Sequence, residues 1–112
     1  MSITNLPDLV IPINTAVSNA LTFANLRHML ALTVFSPETL DAATFNVEVS
    51  AVPGEDAVAG DWRTLQSAGS DVVVTADDAT QITFVSFRGL RIRNVTGNVA
   101  AARTFSVVGN DF

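Results

Sequence analysis

The sequence predicts an all-β fold: a single β-sandwich or jelly-roll-like domain of seven or eight short antiparallel strands with an extended N-terminal arm. Three observations predict it. Apolar residues recur with period two in short runs, most clearly at Phe45, Val47 and Val49, the spacing that turns one side of an extended chain toward a core. Turn-forming residues recur at short intervals, at Pro37, Pro53-Gly54, Gly69, Asp77-Asp78, Gly89 and Gly97, and almost no segment carries helical periodicity. At 112 residues with no cysteine, the chain has the length of one domain and no disulfide or thiolate–metal staple, so packing must hold it together.

The elements follow in order. Residues 1–14 are apolar but broken by Pro7 and Pro12, which remove backbone donors and exclude a central strand or continuous helix, so they are read as an extended arm or edge strand ahead of a sandwich domain at 15–112. Thr15 to Phe23 alternates weakly. His28 to Phe35 is apolar on both faces, as in a strand central to its sheet or covered by a partner. Ser36-Pro37-Glu38 has the chemistry of a helix start, predicting one helical turn over Pro37 to Ala42. Thr44 to Ser50 is the clearest alternating strand, and its Asn46, Glu48, Ser50 face is expected to be wet. A loop from Pro53 to about Gly60 leads to strands at 62–65, 72–75, 81–87, 90–94 and 103–108. The expected core comprises Leu30, Leu32, Val34, Phe45, Val47, Val49, Ile82, Phe84, Leu90, Ile92, Phe105 and Val107.

Composition narrows the function. Only 15% of residues are charged, against about 25% in ordinary soluble domains. All six basic residues are Arg and none is Lys, a balance that suits protein interfaces, where Arg is enriched and Lys depleted; a GC-rich genome would produce the same bias. The net charge of −5 opposes nucleic-acid binding, which needs a basic face. No apolar run nears the ~18 residues that cross a bilayer, so no membrane partner is expected.

Catalysis finds few parts. There is one histidine, His28, and no Cys, Tyr or Lys, so most nucleophiles, bases and Schiff-base formers are missing. Ser70 in Gly69-Ser70-Asp71 is no nucleophile elbow. Glu55, Asp56 and Asp61 crowd one loop, yet their spacing matches no EF-hand and reads as a solvated acidic loop. No phosphate-cradling motif occurs, and no cofactor is expected. Asn94-Val95-Thr96 fits a glycosylation sequon by sequence alone. A carbohydrate-binding module is the remaining small-ligand alternative; Trp62 is the only Trp, and the seven Phe residues mostly take core positions.

The order of segments resembles a group of small β-sandwich virion structural proteins of tailed bacteriophages, including capsid decoration or cement proteins. The likeness is carried by Leu30 to Val34 ending at Ser36-Pro37, by Ala43 to Ser50, by Leu90-Arg91-Ile92-Arg93-Asn94, and by Asn98 to Val107 with Arg103 before the last strand. The resemblance implies a non-enzymatic structural role in the virion without fixing the site; the first expectation is a cement unit on the outer capsid surface that bridges major capsid proteins and associates with itself, a trimer being favoured over a dimer because three capsid subunits meet at a local three-fold. A tail, fibre-base or adaptor component is the second expectation. Candidate protein-contact residues are Leu9, Val10, Ile11 and Ile13 of the arm, whose aliphatic side chains need a surface to cover them, that of a neighbouring subunit being slightly favoured. Arg91 and Arg93 join them, placed by alternation on the face opposite Leu90 and Ile92, where they meet either acids of a neighbouring chain or intradomain carboxylates.

Overall fold

The computed structural model describes residues 2–23, 31–41, 44–83 and 85–111, and in it the alternating segments pair into antiparallel sheets with no α-helix among the described residues. Eleven strands form among them: β1 (Ser2–Ile11), β2 (Leu21–Thr22), β3 (Ala31–Phe35), β4 (Phe45–Ser50), β5 (Arg63–Thr64), β6 (Gln66–Ser67), β7 (Ser70–Asp71), β8 (Val73–Val74), β9 (Ala79–Ile82), β10 (Gly89–Asn94) and β11 (Arg103–Asp111). The number exceeds the expected seven or eight because residues 63–74 break into four two-residue strands where two were expected and because the arm itself pairs as β1. One sheet has the order β1-β11-β3-β9; a second runs β2-β10-β4-β5, with β8 also paired to β4; β6 and β7 form a separate hairpin.

The two larger sheets contribute to one buried cluster. Leu9, Ile11, Leu32, Val34, Ile82, Phe105 and Val107 come from the first, and Leu21, Phe45, Val47, Val74, Leu90 and Ile92 from the second, an arrangement compatible with a β-sandwich. Every described residue of the expected core is there, Val49 being only partly buried against the cluster; Leu30 and Phe84 lie outside the described residues, as do His28 and Met29. Period two explains the selection: register sets Val34 opposite Val107 and Ile92 opposite Val47, so each inward residue meets an inward residue.

Several sequence expectations change. Of the two readings of residues 1–14, extended arm or edge strand, it is the edge strand that forms, as β1 of its own chain's first sheet, in register with β11 from Ser2 opposite Asp111 to Ile11 opposite Arg103, with a bulge between Leu6 and Leu9. Pro7 sits in that bulge, where its missing N–H costs no ladder bond. No helical turn forms over the described residues 37–41. The Asp77 N–H donates to the Pro37 carbonyl and the Ser36 N–H to the Asp78 carbonyl, so long-range pairing takes the groups a helical turn would need. The strand expected at 81–87 pairs over 79–82 instead. Gly89 begins β10 and does not mark a turn: a Cβ there would run into the Ser50 hydroxyl and lie 3.1 Å from the Trp62 ring.

Candidate contact surfaces

The outer face of the second sheet is built on β4 and β10, whose register puts Arg91 opposite Glu48 and Arg93 opposite Asn46. Glu48 lies between the two guanidiniums. Its Oε1 accepts from Arg91 Nε at 2.6 Å, and its Oε2 is 3.6 Å from Arg93 Nε. The Trp62 ring covers the Arg91 guanidinium at 4.3 Å from the ring centroid, a cation–π contact strengthened where water is excluded. Trp62 reaches this position because the loop after β4 folds back over the sheet at Gly89.

The expectation of a wet face on β4 is therefore corrected: Asn46, Glu48 and Ser50 are buried. A buried carboxylate is tolerated only with its charge paired, which explains why the two arginines converge on it. One carboxylate cannot satisfy two guanidiniums. Arg91 makes the short contact, while Arg93 keeps a buried Nη1 without a partner beside Asn46, whose buried Oδ1 also lacks one. Of the two predicted arginines, Arg91 is engaged within the chain, and Arg93, with 37% of its side chain exposed, retains donors for an acidic group from outside.

The predicted contact residues of the arm separate by parity. Leu9 and Ile11 are fully buried in their own chain's core, so they are not available to a neighbour, while Val10 is half-buried on the outer side and Ile13, 55% exposed, follows the strand. They lie on a different sheet from Arg91 and Arg93, so the six residues form no single site.

Two features escaped the sequence reading. Asn19 closes the open edge of β1: its Oδ1 accepts the Val10 N–H at 2.7 Å, its Nδ2 donates to the Asp8 carbonyl at 3.1 Å, and its own N–H reaches the Val10 carbonyl. Asp41 ties the stretch before β11 to the segment after β3, accepting the Ala100 N–H at 2.9 Å and Arg103 Nε at 2.9 Å. The amide of Ala100, with the Arg103 charge, holds the Asp41 carboxyl below the ordinary carboxylate value despite its partial desolvation. No local pattern announces either contact, since each partner is remote in sequence.

The loop acids do not converge. Asp61 accepts the Val58 N–H at 2.9 Å, Glu55 and Asp56 are exposed, and among the described residues no three acidic, His or Cys groups come together as metal ligands do. The described clefts are open depressions; one is lined by Leu65, Gln66, Val72, Gln81 and Ile82 at about 220 Å³.

The outer face of the first sheet is of another kind. Among the paired positions of β1, β11, β3 and β9, those turned outward by the register include Ile3, Val10, Thr33, Phe35, Gln81 and Val108, and none of the outward positions carries a charge. Ile3 is 74% and Phe35 45% exposed.

No family model matches the chain, and no curated protein matches it.

Proposed function

We propose that the chain is a jelly-roll β-sandwich serving as a non-enzymatic structural protein of a bacteriophage virion, a capsid decoration or cement unit that associates with itself and bridges major capsid proteins on the outer shell. The observation that carries this reading is the strand order. Taking β8 as the strand beside β4, the two sheets run β1-β11-β3-β9 and β2-β10-β4-β8, so the strands β1, β2, β3, β4, β8, β9, β10 and β11 pass from one sheet to the other at every step except β4 to β8, which are neighbours in one sheet, and first and last are adjacent, as in jelly rolls. Viral capsid domains, lectins and cupins share that architecture. Within that set, Trp62 is buried beneath the loop against Arg91 and so offers no stacking platform for a sugar, and one histidine in 112 residues is short of the ligand set of a metal cupin.

What supports assembly is surface without solvation. The outward paired positions of the first sheet carry no charge, and Arg93 on the other, 3.6 Å from Glu48, has 37% of its side chain exposed toward an acidic neighbour. A protein that binds only the assembled shell stabilises it by mass action. The test is a reconstruction of whole virions carrying the chain. Density bridging capsid subunits on the shell is the expected result. Density confined to the tail or its fibres would replace cement with the tail reading, and a chain absent from the particle would overturn both.

A further inference from the structure

We infer that the uncharged outer face of the first sheet is a self-association surface, on which a second copy of this chain packs face to face across a two-fold axis. The inference deepens the self-association in the function proposed above and rests on it only for its biological setting. Three observations select a second copy as the occupant.

The first is charge. The chain carries a net −5, and Glu38, Glu55, Asp56, Asp71, Asp77 and Asp78 are all exposed, so two copies repel wherever these acids approach one another. Across β1, β11, β3 and β9 the outward paired positions hold none of them. Two acidic chains can meet over the paired positions without burying a charge, exposed Asp8 lying in the bulge of the edge strand, with Thr33 and Gln81 able to hydrogen-bond and Ile3, Val10, Phe35 and Val108 supplying apolar area.

The second is the state of the sheet edge. Addition of a copy along β1 is blocked at the centre of that strand, where the bulge and Pro7 interrupt the ladder and Asn19 already occupies the Val10 N–H and the Asp8 carbonyl. The opposite edge, β9, offers only the four residues Ala79–Ile82, so the face is the larger surface this sheet presents. The third is size: four strands ~4.8 Å apart, the longest about 30 Å, present roughly 500 Å² in projection, and side-chain relief brings this toward the ~800 Å² each partner buries in a standard interface. A face used isologously is complementary to itself, and aligned packing of two such sheets is a common geometry.

The experiment is the mass of the purified full-length chain in light scattering at about 100 μM, without any particle present. The expected mass is about twice the 11.8 kDa of one chain. Val108→Glu, which sets a carboxylate in the centre of the face opposite Thr33, is expected to return the mass to one chain with the β-type circular dichroism retained. Val58→Glu, the same change at a residue 67% exposed in the loop before Trp62, is expected to leave the dimer intact. Should Val108→Glu fail to fold, Thr33→Glu tests the same position from the facing strand, and mixing Thr33→Glu with Thr33→Arg chains is expected to restore dimers. A one-chain mass for the unaltered protein overturns the inference even if virions carry the chain. So does an oligomer whose mass the face variants leave unchanged. A dimer dispersed by Val108→Glu supports it even if no virion carries the chain.

Discussion

Asp41 shows how much a single side chain can organise when its partners are remote. One carboxylate oxygen takes the Ala100 amide and the other the Arg103 guanidinium, so the small-residue stretch 98–102 is tied down just before β11 begins. Because the folded carboxyl titrates below its ordinary value, its contribution is fully present above the unfolded value of about 4 and is lost as pH falls through the lower folded value. Asp41→Asn is therefore expected to be less stable than the parent at neutral pH, with the difference shrinking as the medium is acidified below about pH 4. Denaturant midpoints of the two proteins, measured side by side from neutral to strongly acidic pH, check this; a gap that persists unchanged into acid would show that the charge on Asp41 is not what matters. Ser18 works without charge. Its hydroxyl accepts the buried Ile92 N–H and donates to the Asn19 carbonyl, so the chain between β1 and β2 stays bonded to β10 where no full strand forms.

At the scale of elements, the β6–β7 hairpin sets a local preference against a tertiary demand. Ala68 and Gly69 join the strands with positive φ, 54° and 83°, the signature of a tight turn whose handedness matches strand twist. Gly69 adopts this without penalty, whereas alanine in the left-handed region costs roughly 1 kcal/mol. The turn persists because the flanking chain is held: the Leu65 N–H donates to Val47, the Val47 N–H to Val72, and the Val72 N–H to Leu65. Ala68→Asn, which tolerates positive φ, is expected to stabilise the protein by about 0.5–1 kcal/mol, read as a higher midpoint in urea. A lower midpoint would mean that the alanine methyl has a packing role the turn geometry does not show. The edge strand β1 carries the opposite lesson, since its bulge and Pro7 disturb local regularity and thereby protect an exposed edge.

For the whole molecule, one cluster joining the sheets must supply the stability, and its radius of gyration of 13.1 Å is that of a chain of this length folded around one core. Phe45 from one sheet and Phe105 from the other meet there with ring centroids 6.3 Å apart, both essentially without solvent contact. Removing the Phe45 ring should cost about 3–5 kcal/mol, a large part of the roughly 5–15 kcal/mol that holds such a domain folded. Phe45→Ala is thus expected to lower the chemical-denaturation midpoint steeply while the transition stays cooperative, and Phe45→Leu to lie between it and the parent. A loss below about 1 kcal/mol would mean that the two sheets do not depend on a shared core.

Alternation by itself determined which residues face inward. Phe45, Val47, Leu90, Ile92, Phe105 and Val107 are buried as their period-two spacing requires, because extended backbone sends successive side chains to opposite sides whatever lies beyond. The same rule put Arg91 and Arg93 on one face together. It could not say what covers that face. Glu48 was expected in water and is buried, because the loop after β4 lays Trp62 over Arg91 and because register brings a carboxylate from β4 between two guanidiniums of β10. Pairing partners are likewise set at long range. Leu9 and Ile11 have the spacing of residues that seek a covering surface, and the fold decided that the surface is their own chain's core, since β11 offers β1 an open edge in register. Ser36-Pro37-Glu38 has the local chemistry of a helix start, yet Asp77 and Asp78 claim its backbone groups from forty residues away. Side-chain direction is a property of the strand alone and is legible in sequence; edges, covers and charge partners arise only when remote strands meet, and the tertiary structure decided them.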